Sequence, residues 1–220
     1  MHKIIKKILI NENLFKIYFE KKNLSFLPGQ HFSLSIPGKS INREYSSYTS
    51  PNEDHIGFLI RRVQGGIMTN MLDKMKVGDG VNIYGPYGCF TPTQKQLLNK
   101  QIIFIASGTG IAPFVSIKKT YNIKNYKLFL GIRSRSDIAD QDEFDQSNSY
   151  YCISRDNILK QNNHFRGRIT KNLDKLDYIE SYLDAFYMIC GNSFMISDVY
   201  DALVNEKGID PNNIITESFF

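Results

Sequence analysis

The chain is poor in cysteine, with three in 220 residues. Cys89, Cys152 and Cys190 lie so far apart that they form no CxxC pair, no zinc spacing and no set of four for an iron–sulfur cluster. Any cysteine function is solitary, and no metal site is expected. Long hydrophobic runs are missing too: the longest uncharged stretch, Gln101 to Ile117, falls short of the about 20 apolar residues a membrane span needs and is broken by Gly108, Gly110 and Pro113. No membrane span is expected. The basic, apolar start MHKIIKKILINENLF puts lysines where a signal peptide keeps its apolar core, and no small-residue cleavage site follows, which points to the cytoplasm. There is also no concentrated basic block. The net charge is +5, from 27 Lys and Arg against 22 Asp and Glu, but Lys6/Lys7, Lys21/Lys22, Arg61/Arg62 and Lys118/Lys119 are dispersed. That suits an enzyme with acidic partners better than a nucleic-acid binder. Without a GK[ST] sequence, a phosphate loop of the ATPase kind is excluded.

What is present is a globular composition, 42% hydrophobic and 22% charged, on a chain long enough for one large domain or two small ones. From Lys3 to about Tyr84, short runs rich in Ile, Leu, Phe and Tyr are split by Pro28-Gly29, Pro37-Gly38, Gly65-Gly66 and Gly78-Asp79-Gly80, a spacing that predicts a small antiparallel β-barrel. Met68, Met71, Leu72 and Met75 recur at helical intervals and predict one helix within it. After a polar stretch from Thr91 to Lys100 the character changes. Buried strands IIFIA, KLFLGIR, YYCISR and AFYMICG alternate with helices expected after the glycine turn, around Asp140 to Phe144, over Thr170 to Tyr182 and over Ser193 to Asn205. Alternation of that kind implies an α/β fold with a parallel sheet. The sequence therefore divides into an antiparallel barrel over residues 1–95 and an α/β nucleotide-binding domain over residues 96–220.

Three segments carry chemistry. SGTGIAPF follows a buried strand, and glycines at a strand-to-helix turn let main-chain N–H groups approach a pyrophosphate at the helix's positive end. Pro113 suits the first turn of that helix. The next strands end in Arg133 and in Ser154-Arg155 where an NAD fold often carries an acid, and guanidinium groups there favour a 2′-phosphate, hence NADP. In the barrel, Arg43-Glu44-Tyr45-Ser46 alternates faces, so that Arg43 and Tyr45 share one side and Ser46 takes the other. Gly65-Gly66-Ile67-Met68-Thr69-Asn70 offers a flexible backbone and a hydroxyl at a helix start, a second anion site.

Taken in order, RxYS, GGxxTNxL, GPYG, GTGIAPF, GxR, SR, GR, CGN and a terminal E-x-aromatic-aromatic resemble the ferredoxin–NADP reductase family, most closely its bacterial ferredoxin/flavodoxin–NADP⁺ reductases. The resemblance spans nearly the whole chain and rests on order and spacing. It implies that Arg43 binds the FAD pyrophosphate, Tyr45 stacks on the isoalloxazine and Ser46 bonds near flavin N5, with Glu44 among the contacts. Ile60, Arg61, Arg62, Gly66, Ile67, Met68 and Thr69 complete the implied flavin site. Gly108, Thr109 and Gly110 face the NADP pyrophosphate, Thr109 also approaching the flavin, while Arg133, Ser154, Arg155 and Arg168 hold the 2′-phosphate end. Cys190 and Gly191 sit beside the nicotinamide, and Glu217 near the flavin, so that Ser46, Cys190 and Glu217 are the implied catalytic groups. Phe219 and Phe220 stand where relatives end in an aromatic pair; with no tryptophan in the chain, the pair keeps stacking and loses polar handles.

The barrel is short for a separate adenine platform, which leaves FMN open beside FAD. The implied reaction moves a hydride between NADP(H) and flavin, with single electrons passed to an acidic carrier, ferredoxin or flavodoxin. A flavin reductase or the reductase component of an oxygenase shares the same two-domain plan, though the cysteines leave none for a fused cluster. A non-catalytic nucleotide-binding regulatory module is the reading of another class, against which the intact RxYS, GTG, CGN and Glu217 argue.

Overall fold

The computed structural model describes residues 1–139, 141–156 and 162–219, and the chain divides into two compact units, Met1–Thr91 with Ala112–Asn122 and Pro92–Ile111 with Ile123–Phe220. In the first unit the strands are β1 (His2–Asn11), β2 (Leu14–Glu20), β3 (His31–Ser35), β4 (Asn42–Ser46), β5 (His55–Arg61) and β6 (Gly80–Tyr87). They form one six-stranded sheet in the order β4-β3-β6-β1-β2-β5, every pairing antiparallel. An antiparallel bridge between Ser47 and Phe58 ties the chain just past β4 to β5, the other end of that order. The sheet thus curls towards closure.

Alternation explains these strands. In β2, Phe15, Ile17 and Phe19 are buried while Lys16 and Tyr18 are less so, the two-residue period of a sheet with one face on a core. Phe58 sits at the centre of that core, its ring centroid 6.0 Å from Phe19, 6.1 Å from Phe32 and 6.3 Å from Tyr45. Helix α1 (Ile67–Lys74) buries Met68 and Leu72 against the same cluster, the helix that the methionine spacing predicts. The longer helix of this unit, α3 (Ala112–Tyr121), is fixed by the fully buried Ser116, whose hydroxyl donates to the Thr49 carbonyl at 2.7 Å.

The second unit is built on β7 (Ile102–Ser107), β8 (Tyr126–Ile132), β9 (Ser149–Ile153), β10 (His164–Arg166), β11 (Phe186–Asn192) and β12 (Ile214–Phe219). All pairings are parallel, in the order β10-β9-β8-β7-β11-β12. In β7 and β11 the apolar runs are buried on both faces, as expected of central parallel strands. A short helix α2 (Gln94–Asn99) precedes β7, closed by a capping box in which Thr93 and Gln96 satisfy each other's main-chain N–H groups. Helix α4 (Ser193–Asp201) follows β11 and continues as a π-helical turn over Ala202–Glu206.

Two expected helices are not formed. Over Thr170 to Tyr182 the chain winds short 3₁₀ turns, Ile169–Lys171, Leu173–Tyr178 and Tyr182–Asp184. Asn172 breaks the run, its side-chain amide donating to the Arg166 and Arg168 carbonyls at 3.2 and 2.9 Å, and Ser181 takes a left-handed φ of 61°. Ile169, Leu173, Leu176 and Ile179 are buried in the same core all the same. Around Asp140 to Phe144, residue 140 lies outside the described residues and residues 141–143 form a turn. Phe144 anchors that turn against Phe104 and Tyr126, with ring centroids at 6.1 and 5.5 Å. Residues His164–Arg166 pair with β9 as β10, and the terminal segment forms β12 in register with β11.

Because Phe58 contacts three other rings at full burial, Phe58→Ala is expected to cost about 3–5 kcal/mol, read as a lowered urea midpoint. A cost near zero would show that the barrel core is centred elsewhere.

Candidate functional site

Strand β4 delivers Arg43 to Ser46 in the first unit. Register sets Arg43 opposite Leu34 and Tyr45 opposite Phe32, so both project from one face, Arg43 exposed and Tyr45 half-buried. The hydroxyls of Tyr45 and Ser46 are both buried without a hydrogen-bond partner. Burial pushes the Tyr45 pKa up to about 12, with the Arg43 cation pulling the other way. The phenol therefore stays a neutral donor near pH 7. An unsatisfied buried hydroxyl costs about 1–3 kcal/mol, so two on neighbouring residues call for the polar atoms of a ligand. Glu44, on the other face, is exposed, 3.8 Å from His31 Nε2.

Helix α1 starts at Gly66 with no side-chain cap. The leading N–H groups of Ile67, Met68 and Thr69 are left open at the positive end of the helix, an arrangement suited to phosphate oxygens. The Val63 N–H donates to Thr69 Oγ1 at 3.2 Å, which folds the loop over the helix start and leaves the Thr69 O–H to donate outward. A Cβ at Gly66 would lie 2.9 Å from Thr69 Oγ1 and 3.0 Å from the Val63 carbonyl oxygen; the turn has no room for a side chain. Arg62 pairs with Asp73, which also lies 3.4 Å from Lys7 Nζ. Its guanidinium thus anchors the last turn of α1. The side chains of Ile60 and Met68 belong to the barrel core, so what they offer a ligand is main chain; Arg61 is half-buried and Ile67 exposed.

In the second unit every strand runs the same way, so the carboxyl ends line one edge of the sheet. The chain leaves β7 for β8 on one side and comes back to β11 on the other, which makes β7/β11 the switch point where open α/β sheets bind ligands. There Gly110 packs so close to β11 that a Cβ would lie 2.4 Å from the Cys190 carbonyl oxygen. Gly191, at φ +139°, would place one 2.2 Å from Ser107 Oγ. Ser107 Oγ accepts the Asn192 N–H at 3.0 Å, and Asn192 Oδ1 accepts the Phe194 and Met195 N–H groups to cap α4. Gly108 has φ +55° and open space where its Cβ would stand, and Gly108–Ile111 winds a 3₁₀ turn ahead of α3.

Farther along the edge, hydrogen bonds continue past the strands. The Ser154 N–H donates to the Ile132 carbonyl at 3.0 Å, the Arg155 N–H to the Arg133 carbonyl at 2.8 Å and the Gly167 N–H to the Ile153 carbonyl at 2.8 Å. Arg133, Ser154, Arg155 and Arg168 are thereby brought to neighbouring strand ends, all exposed. Cys190 registers against Ala106 on one side and Glu217 on the other. Burial, with the Glu217 charge beside it, drives the Cys190 thiol well above its usual pKa. Glu217 and Phe219 are half-buried on β12, and Phe220 lies outside the described residues. Ser107 opens SGTGIAPF and Asn192 closes CGN, yet neither motif carries these two roles; an Asn directly before Ser-Phe-Met is itself an N-cap signal.

Residues 2–91 match the oxidoreductase FAD-binding domain and residues 104–201 the oxidoreductase NAD-binding domain. The toluate 1,2-dioxygenase electron transfer component of Pseudomonas putida is 28% identical over 209 residues, covering 89% of this chain. The chain spans 59% of that relative's length. The flavodoxin/ferredoxin–NADP reductase of Buchnera aphidicola is 28% identical, with 99% of this chain and 97% of the relative covered. A crystal structure of a ferredoxin NADP⁺ reductase from Neisseria gonorrhoeae with bound FAD and NADP superposes with a TM-score of 0.81 at 20% identity, over 100% of this chain and 98% of that one, a likeness of fold. Among the described residues no helix is long and apolar enough to cross a membrane.

The thiols give a direct check on this geometry. Cys89 is exposed while Cys152 and Cys190 are buried, and burial lifts Cys152 to about 12. Since the thiolate is the reactive form, native protein at pH 8 should be modified at Cys89 alone, with Cys152 and Cys190 joining after denaturation. Rapid native labelling of Cys190 would contradict the packing described.

Proposed function

We propose that this chain, in which an oxidoreductase FAD-binding domain stands ahead of an oxidoreductase NAD-binding domain and which is similar to ferredoxin–NADP reductases, moves a hydride between NADP(H) and FAD and hands electrons singly to a small protein carrier. The observation that supports this most is the pair of unpartnered buried hydroxyls on Tyr45 and Ser46, in the same unit as the uncapped start of α1. That donor set fits an isoalloxazine and a pyrophosphate. When bound, the two cofactors supply hydride exchange between nicotinamide C4 and flavin N5.

The residues' part is to bind, orient and exclude water. Arg43 and Thr69, with the open N–H groups of α1, hold the flavin pyrophosphate, while Tyr45 covers the ring and Ser46 donates a hydrogen bond to its polar edge. The Gly108-Thr109-Gly110 turn presents main-chain N–H groups to the second pyrophosphate. Arg133, Ser154, Arg155 and Arg168 grip the 2′-phosphate. Cys190, a neutral thiol, packs the nicotinamide end without adding charge, and Glu217 supplies the carboxylate beside it.

The net positive charge favours an acidic carrier, of the ferredoxin or flavodoxin kind. A second reading, the reductase part of an oxygenase system, is favoured by the match to the dioxygenase component over 89% of this chain. Both readings share the transfer of a hydride from a pyridine nucleotide to the flavin.

A charge-assisted hydrogen bond is worth about 1.5–3 kcal/mol, so losing one should cost roughly tenfold or more. Arg155→Ala should therefore raise KM for NADPH by about that factor and leave NADH nearly unchanged. Equal losses with both nucleotides would show that Arg155 does not read the 2′-phosphate.

A further inference from the structure

The turn over residues 141–143 stands beside β9 and β10. A cavity of about 330 Å³ opens there, lined by Arg135, Ser136, Gln141, Gln146, Tyr151 and His164, with Ile138 as its apolar wall. That volume is at the lower end of the roughly 300–1,000 Å³ of small-molecule sites. None of the residues used in the hydride reaction lines it.

Among the described residues the lining has one cation, Arg135, and no carboxylate. Arg135 is held in place through its main chain, whose N–H donates to Asp156 Oδ2 at 2.7 Å. The His164 ring stands edge-on to Tyr151, centroids 5.2 Å apart, and its Nδ1 is buried without a hydrogen-bond partner. Burial and the Arg135 cation push the His164 pKa below its ordinary value, so near neutral pH the ring is uncharged and Arg135 is the positive charge among the described lining residues. A guanidinium fork matches a carboxylate in shape and in charge. The two carboxamides, the Ser136 hydroxyl and the imidazole are donors and acceptors for the rest of a small polar molecule.

We propose that this cavity is a binding site for a small carboxylate, separate from the dinucleotide site. The Arg135 fork takes the carboxylate oxygens, and His164 Nδ1 gains the partner it lacks.

Amide chemical shifts under titration with acetate, on protein saturated with NADP⁺ to block the arginines of the nucleotide edge, test this directly. Saturable shifts confined to the region of Gln141, Gln146, Tyr151 and His164, with a Kd on the order of 1–10 mM, are expected, and acetamide should produce none. Arg135→Ala should abolish them, Arg135→Lys should weaken them severalfold by keeping the charge and losing the fork, and Arg155→Ala should leave them intact. Shifts that fail to saturate, that survive Arg135→Ala, or that vanish in Arg155→Ala would overturn the proposal.

Discussion

At the β7/β11 switch point two segments of main chain come so close that neither can carry a Cβ. Gly110 lies against the Cys190 carbonyl and Gly191 against Ser107, and the contact is tied by the Asn192 N–H on Ser107 Oγ. Much of the second unit follows from this. It fixes where the strand-to-helix turn presents its N–H groups and where Cys190 is buried, and through Asn192 it sets the start of α4. A side chain at either glycine would have to separate the central strands of a sheet buried on both faces.

The first unit shows the opposite strategy. Its core is closed by rings around Phe58, yet at one edge it leaves the Tyr45 and Ser46 hydroxyls unsatisfied and a helix start uncapped. Each is a cost to the unliganded fold. Departures from local consistency concentrate at functional sites, and here they surround the residues assigned to the flavin. The Arg62–Asp73–Lys7 cluster holds α1 in place while its other end stays open.

What the sequence reveals depends on whether a signal is local. The runs Ile102–Ala106 and Phe186–Cys190, and the glycines at 108 and 110, announce themselves because burial on both faces and the absence of a side chain are visible letter by letter. The apolar spacing of Ile169, Leu173, Leu176 and Ile179 is compatible with an α-helix or with 3₁₀ turns, and the choice is made by Asn172 bonding back to Arg166 and Arg168, a contact that needs the fold. β12 was within reach, since Ile214-Ile215-Thr216 is β-branched, but its terminal position suggests fraying and its partner strand lies 22 residues or more upstream. Ser107 opens the SGTGIAPF segment, but its role appears only once Gly191 is beside it. The cavity beside His164 is likewise invisible in sequence, because its lining is gathered from separate segments of the chain.

One chain carries both a flavin-binding and a pyridine-nucleotide-binding domain. The most direct test of the two together is the visible spectrum of the purified protein, loaded with FAD, during anaerobic addition of NADPH. A yellow protein is expected, its flavin absorbance bleaching on mixing, faster and at lower concentration with NADPH than with NADH. A protein that retains no FAD, or whose bound FAD keeps its full absorbance under NADPH, would contradict it.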